Sequence, residues 1–577
     1  MFMNAKHLLV AGMALLTVAA CNKETGADGP IFNGDKAYIN VQIAYSDPET
    51  RGTADVDNPF YYGTADENKV SDAHFFFYHS DGTYATYANE RLDWTANGVD
   101  TPTSGNVEKV SGGVVVLRNL KSTNYPTYMS VLLNSNGDMV AKLQGKSISE
   151  AQAYIIGEIA TAGRTDDQES QVDWQNFVMT SSSFAGDAAA GYFCVKLTSD
   201  NFKDTEEAAK ADGNAIVAYV ERLAAKVRLS LSDALGSNGK IGSFEVDGES
   251  KDLYFNVTGW GLNGTAKTSY AYKNIDPTWN FGDFSWNDAA NFRSYWAKYP
   301  EYGSADAYYP INAAELKELG KTPALNYVSY NDLAVAAGSA AYCRENTNTK
   351  TVLARTFAGA VTSVILKATV QDKEGNAINL VNYKKNLYTA EGYKNKVLTD
   401  YVATHTADAD LIYKKVAENT YQTITAADLE PVNIADGNVY LKVKDGEYYS
   451  QTAENVFTAL SAAAATTRLN GDALTKETTA SFYNEGMMYY NIPIEHLRQG
   501  KKFTAADFKN DGLEEALYGV VRNHYYLLTV NKIENLGKAV YNPDEKIVPD
   551  DDDVKNYFVG AKINILSWKV VKQGVDL

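Results

Sequence analysis

Ala37-Tyr-Ile-Asn-Val-Gln-Ile-Ala-Tyr45 alternates without a break and runs straight into Ser46-Asp-Pro-Glu-Thr-Arg51-Gly52. Ile39, Val41, Ile43 and Tyr45 fall on one face of the first stretch. Tyr38, Asn40, Gln42 and Ala44 fall on the other. A period of two marks a half-buried strand. The second stretch sets an arginine among Ser, Asp, Pro and Gly, the residue types of turns. Exposed polar turns are where proteases nick a chain. The pair reads as a clean strand that can be clipped off the front of a β fold by a cut between Arg51 and Gly52.

Upstream, Lys6 precedes an apolar run from Leu8 to Ala20 that ends in Val18-Ala-Ala-Cys21. A charged start, a short apolar core and a small-residue cut site make a secretory signal, too short to span a membrane. The cysteine at the cut makes it resemble a bacterial lipoprotein signal, in which that cysteine, Cys21, is acylated. Residues 22–36 are polar and Gly-rich, a tether. Residues 46–70 read as a turn-rich, acidic loop.

Downstream, many short strands are separated by turn signals. They include Ala73–Tyr78, Gly113–Arg118, Thr127–Leu133, Tyr192–Leu197, Ile241–Val246, Leu253–Trp260, Val361–Asp372, Gly437–Lys444, Gly486–Ile494 and Tyr525–Ile533. Helical material is expected around Ser147–Glu158 and over Ala453–Arg468. A second block opens with the apolar run Ile216–Leu231. This pattern points to β-sandwiches. A chain of 577 residues is too long for one core. Its 40 Tyr and 42 Gly suit strands joined by turns. A net charge of -19 argues against nucleic acid and against an anionic membrane surface as partners.

Catalytic constellations are not apparent, and the chain does not read as an enzyme. The 6 histidines form no zincin-like pair, and His74 and His79 lie on opposite faces of one strand region. Nucleophile-elbow and phosphate-loop motifs are absent. Asp550–Asp553 lacks alternating ligand spacing and a turn glycine, so it reads as a solvated linker rather than a calcium loop. No metal or cofactor is expected. Of 3 cysteines, Cys21 belongs to the lipid site; Cys194 and Cys343 are either two buried thiols or one disulfide. Tyr61, Tyr62, Tyr308, Tyr309 and Trp296 could line a sugar-binding platform.

Val220-Glu-Arg-Leu-Ala-Ala-Lys-Val227 resembles the segment between the two domains of Bacteroidetes fimbrillins. Tyr518-Gly-Val-Val-Arg-Asn-His-Tyr-Tyr-Leu-Leu-Thr-Val-Asn-Lys-Ile-Glu-Asn-Leu-Gly537 resembles a strand and the segment after it in the same proteins. Ile563-Asn-Ile-Leu-Ser-Trp-Lys-Val570 and Val575-Asp-Leu577 look like the closing strand of the Mfa-type shaft pilin. The resemblance implies a type V pilus subunit of mainly β fold: two transthyretin-like, Greek-key β-sandwich domains in series with helical and loop inserts. The division expected is a signal peptide at 1–20, a propeptide with the removable strand at 21–51, an N-terminal sandwich at 52–222, a C-terminal sandwich at 223–548, and a spacer with donor strand at 549–577.

Such pilins are exported as lipoproteins to the outer membrane and cut after an arginine by a trypsin-like protease. They polymerise head to tail when a C-terminal strand of one copy fills the groove of the next, with anchor and tip subunits as further partners. Here the donor candidates are Ala561, Ile563 and Ile565, then Leu566, Trp568 and Val570 on the other parity. The change of parity suggests a bulge near Leu566. The Asp/Pro-rich spacer is shorter than in the Mfa-type pilin. The competing reading is a glycan-binding outer-membrane lipoprotein that stays tethered at Cys21. Both readings share the lipid site. Cys21→Ala is expected to abolish acylation and surface delivery, measured by labelled-palmitate incorporation and surface accessibility; normal labelling and display would contradict it.

Overall fold

The computed structural model describes residues 36–44, 67, 69–86, 88–92, 110–118, 120, 125–135, 137–156, 177–183, 191–211, 213–277, 280–281, 284–287, 292–293, 295–348, 351–352, 355–356, 358–475, 478–496, 519–550, 566–567 and 569–576. The architecture is mainly β and built from several sheets. In the first half the strands that matter are β1 (Lys36–Ala44), β2 (Ala73–Tyr78), β3 (Ala88–Leu92), β4 (Val110–Arg118), β5 (Tyr128–Leu133), β6 (Met179–Ser181) and β7 (Ile216–Arg222). They lie in the order β2-β5-β6-β7-β1-β4-β3 in one eight-stranded sheet, with Val195–Lys196 on the flank of β5. Ile39 and Val41 of β1, Phe75 and Phe77 of β2, Val115 and Leu117 of β4, and Met129 and Val131 of β5 share one core. The two arms of the sheet therefore close on the same apolar interior, as the layers of a sandwich do.

After Leu223 the same run of chain continues as β8 (Ala224–Leu231) and enters a different sheet. The second half adds β9 (Asn238–Val246), β10 (Glu249–Asn263), β11 (Ala340–Arg344), β12 (Ser363–Gln371), β13 (Met487–Pro493), β14 (His524–Lys532), β15 (Leu566–Ser567) and β16 (Lys569–Asp576). One sheet runs β11-β8-β14-β16-β15. The other has ten strands, of which β9-β10-β12-β13 are the sixth to the ninth in order. Val227 and Leu229 of β8 and Tyr526 and Leu528 of β14 meet Trp260, Leu262, Val364, Leu366, Tyr490 and Ile492 in a single core.

β10 shows how local chemistry sets this packing. Leu253, Phe255 and Val257 are buried at odd positions; Trp260 and Leu262 are buried at even ones. A bulge between Val257 and Gly259 shifts the pairing with β12 and flips the parity. Gly259 is needed there, because a Cβ would stand 2.7 Å from the Leu333 carbonyl oxygen. Beyond the bulge Trp260 is fully buried and its Nε1 donates to the Ala336 carbonyl at 3.0 Å.

The two expected helices are corrected. Around Ser147 the helix spans only Ile148–Gln152, capped by Ser147 and Glu150; the next residues, Ile155–Ile156, pair as a strand with Ser269–Tyr270. Over Ala453–Arg468 the chain first makes the hairpin Tyr448–Ala453 and Val456–Leu460, turning at Asn455 with φ 60°. The helix there is Ala462–Asn470, started by the Ser461 cap. Alanine content mimicked helix propensity, but a left-handed Asn and the Ser cap fixed the boundary. The longest helix among the described residues, Ala390–Thr404, buries Tyr393, Val397 and Tyr401 along one face. The strand expected at Tyr192–Leu197 reduces to Val195–Lys196.

β1 carries part of the first core, so truncating it should be costly. Ile39→Ala is expected to destabilise the uncut chain by about 2–5 kcal/mol. Urea unfolding followed by tryptophan fluorescence and circular dichroism checks this; an unchanged midpoint would contradict the packing.

Candidate functional site

The site is the place that β1 occupies. Its register with β4 is antiparallel and complete, from Lys36 opposite Arg118 to Ala44 opposite Val110. On its other side Val41–Ala44 pair in parallel with Ile216–Tyr219 of β7. Nearer its start, the Tyr38 N–H donates to the Lys203 carbonyl at 2.8 Å, and the Lys203 N–H donates back at 3.0 Å. β1 is therefore an interior strand, bonded along both sides. Its removal would open a lane walled by β4 on one side and by β7 and Lys203 on the other.

Ala37, Ile39 and Val41 point into the core and are 0% exposed. Ile43 lies on β1, where only its backbone is described. Tyr45, Arg51, Gly52 and Cys21 lie outside the described residues.

Next to the lane, the seam between the two halves holds buried charge. Arg222 ends β7, and Lys226 lies in β8. Arg222 Nη1 donates to Asn523 Oδ1 at 3.0 Å, and its Nε donates to the Glu67 carbonyl at 2.9 Å. Lys226 Nζ donates to Glu67 Oε1 at 2.5 Å, and the Tyr342 hydroxyl donates to the same oxygen at 2.7 Å. The Lys226 ammonium also sits 4.6 Å from the centre of the Tyr525 ring. Burial lowers the Lys226 pKa despite the opposing pull of Glu67.

A second knot lies alongside. Arg522 Nε donates to Glu345 Oε1 at 2.9 Å, and Arg522 Nη2 reaches the Tyr270 carbonyl at 2.9 Å. Lys273 Nζ donates to the Arg293 carbonyl at 2.8 Å and stands 3.9 Å from Glu221. Arg222 and Lys226, and Arg522 and Asn523, fall in two of the segments quoted for the family resemblance. They hold the seam together. Among the described residues no group of three or more His, Cys, Asp or Glu side chains could hold a metal.

At the other end of the chain, β16 pairs in parallel with β14, from His524 opposite Lys569 to Lys532 opposite Asp576. Among the described residues its outer side pairs with Leu566 of β15 alone, opposite Val570. The donor candidates divide accordingly. Leu566 and Val570 lie on backbone that pairs within this chain; Ala561, Ile563, Ile565 and Trp568 lie outside the described residues. Of the described residues of the aromatic platform, Tyr308 is half-buried, Trp296 and Tyr309 are buried, and Tyr309 packs with Tyr299, Leu325 and Tyr327 in a small core. Tyr61 and Tyr62 lie outside the described residues. Cys194 and Cys343 are both free and buried. No helix among the described residues is long and apolar enough to cross a membrane.

Sequence reasoning missed Glu67 and Lys203. Glu67 is one acid in an acidic loop, and Lys203 sits in irregular chain; neither carries a periodic signal. A buried Lys226 without a local acidic partner was the one available hint, since buried charges are paired.

Residues 481–574 match the family model described as major fimbrial subunit protein type IV, fimbrillin, C-terminal. That stretch contains Tyr518–Gly537 and Ile563–Val570, on which the resemblance was read. Among solved structures, the chain is similar to a fimbrial assembly protein from Parabacteroides distasonis, with 12% identity, 58% of this chain and 83% of that one covered, and a TM-score of 0.27. It is also similar to the C-terminally truncated tip fimbrial protein Mfa3 from Porphyromonas gingivalis, with 11% identity, 59% and 79% covered, and a TM-score of 0.23. No curated protein matches the chain.

The buried seam has a pH signature. Burial lowers the Lys273 pKa from 10.5 to about 8, against the pull of Glu221 and Glu345. The unfolded chain keeps this lysine charged up to its ordinary pKa, so it binds more protons than the folded one between those values. The Lys273 contribution to stability therefore rises with pH from about 8 towards 10.5. Urea midpoints of wild type minus those of Lys273→Met, taken from pH 7.5 to 9.5, should increase; a flat or falling difference would contradict the assignment.

Proposed function

We propose that this chain, similar over its C-terminal part to fimbrillins, is a polymerising subunit of a surface fimbria. It is exported as a lipoprotein on Cys21 to the outer membrane. An Arg-specific, trypsin-like protease cuts it between Arg51 and Gly52. β1 then leaves, and a C-terminal strand of another copy enters the vacated lane. Anchor and tip subunits are the other partners, and the role is structural.

One observation carries this reading. β1 is an interior strand of a buried core, yet it precedes every other described element and joins them through residues 45–66 alone. Arg51 is the one arginine or lysine in that connection. A single cut there separates β1, and no other described element, from the rest of the fold. Glu67 lies beyond the cut, and its buried bonds to Lys226 and Arg222 fasten the chain to the seam at that residue.

The physics of the lane supports refilling. Loss of β1 leaves unpaired backbone groups on β4 and β7 and exposes the pockets of Ile39 and Val41. Each large apolar side chain returned to such a pocket is worth about 1.5–3 kcal/mol before ordering costs. An incoming strand also restores the ladder, as in strand-addition complexes. The C-terminal strand is suited to leave. β16 lies next to last in its sheet, with one full partner, β14, and only the two-residue β15 beyond it among the described residues, whereas β1 is held on both sides. A strand given by one copy and received by the next is a head-to-tail contact that does not close, and such contacts build filaments.

Arg51→Ala is expected to keep β1 attached, leave the precursor on the membrane and block polymer formation. Gel analysis of unboiled surface extracts, with N-terminal sequencing of the product, checks this. Normal ladders from the variant, or a mature wild-type chain starting elsewhere than Gly52, would contradict the reading.

A further inference from the structure

The chain contains the pattern Ala-x-Ile-Asn followed by a β-branched residue twice: Ala37-Tyr-Ile-Asn-Val41 in β1 and Ala561-Lys-Ile-Asn-Ile565 near the C-terminus. The first copy is the occupant of the lane. From these two facts we infer the register of the joint: in the assembled fimbria Ala561 takes the place of Ala37, Ile563 that of Ile39, Asn564 that of Asn40 and Ile565 that of Val41. This rests on the reading that the C-terminal segment of a second copy refills the lane.

The pockets discriminate among registers. The Ala37 position is fully buried, so it is filled by a methyl group and has no room for a larger side chain. The Ile39 and Val41 positions are equally buried and shaped to β-branched residues. A donor therefore needs a small residue followed, at two and four positions on, by β-branched ones. Between Pro549 and Leu577 only Ala561, Ile563 and Ile565 meet this. The rival frame, with Leu566, Trp568 and Val570 on the core face, would seat an indole where Val41 now sits. That overfills a site packed at interior density.

The outward face agrees. Asn40 is half-buried on the face away from this core, and its counterpart is again an asparagine, Asn564. Parity also matters: a slip of one residue would turn Ile563 and Ile565 to the wrong face. In this register the β15 and β16 residues lie C-terminal to the matched segment, so they must detach from β14 of their own copy for it to enter a neighbour's lane.

The register is tested by cysteine cross-linking between copies. Asn40 stands directly opposite Val114 of β4. Directly opposed strand residues have Cα atoms about 4.5–5.5 Å apart, within reach of a disulfide. Full-length Val114→Cys is mixed with either Asn564→Cys or Ser567→Cys, cut with trypsin, allowed to assemble and oxidised. The native Cys194 and Cys343 are buried and do not compete. The inferred register gives covalent dimers with Asn564→Cys and none with Ser567→Cys. In the rival frame Ser567 would face Val114, and dimers from Ser567→Cys alone would overturn the register while leaving strand donation standing. No dimer from either position would overturn both. Tyr38 stands opposite Val116, so Lys562→Cys with Val116→Cys is a second reporter of the same register should the first pair fold poorly.

Discussion

The structure depends on where β1 sits. It is bonded to β4 along its whole length, to β7 over its last four residues and to Lys203 near its start, and Ala37, Ile39 and Val41 complete a core that both arms of the first sheet share. An interior strand is normally the least dispensable part of a domain. Here it is also first in order among the described elements, and its link to the rest carries a single basic residue. The fold thus concentrates stability in a piece that one peptide-bond cleavage can release. What remains after release is a lane with two hydrogen-bonding walls and an apolar floor, which is a stronger acceptor than an open edge because both sides of an incoming strand are satisfied.

On the proposed function the rest of the molecule has to tolerate that loss, and the seam is what would support it. β7 walls the lane and continues through Leu223 as β8, a strand of the second core. Arg222, Lys226 and Glu67 bind this crossing to Asn523, Tyr342 and Tyr525, and the Arg522–Glu345 pair lies fully buried beside it. Breaking a buried ion pair by removing one partner typically costs about 3–5 kcal/mol, so these groups hold the crossing in one geometry. One wall of the lane is in this way fixed by the second half of the chain, independently of β1.

The parts of this design that the sequence displays are the local ones. The alternation of Ala37–Tyr45 is a strand of period two, and β1 occupies Lys36–Ala44. Helix ends were harder to read, because Asn455 turns a hairpin inside Ala-rich chain and the cap at Ser147 starts a helix of only five residues. The even–odd switch in β10 has a physical cause, the bulge at Gly259, that no periodicity count reveals. The seam was the least visible. Arg222 and Asn523 are 301 residues apart, and nothing local to either residue specifies the other. Only the resemblance to fimbrillins brought those two segments forward together, and it did not say that they touch.

The central claim is that the lane beside β4 is filled, emptied and filled again. Amide hydrogen exchange of Val110–Arg118 and Ile216–Tyr219, followed in the uncut chain, in the chain cut after Arg51 and in assembled fimbriae, tests it most directly. The account predicts slow exchange in the uncut chain, fast exchange in the cut monomer, and slow exchange again on assembly, with Lys569–Asp576 losing its protection by β14 of the same copy. Exchange that stays equally slow in all three states, or that never recovers in the polymer, would contradict it.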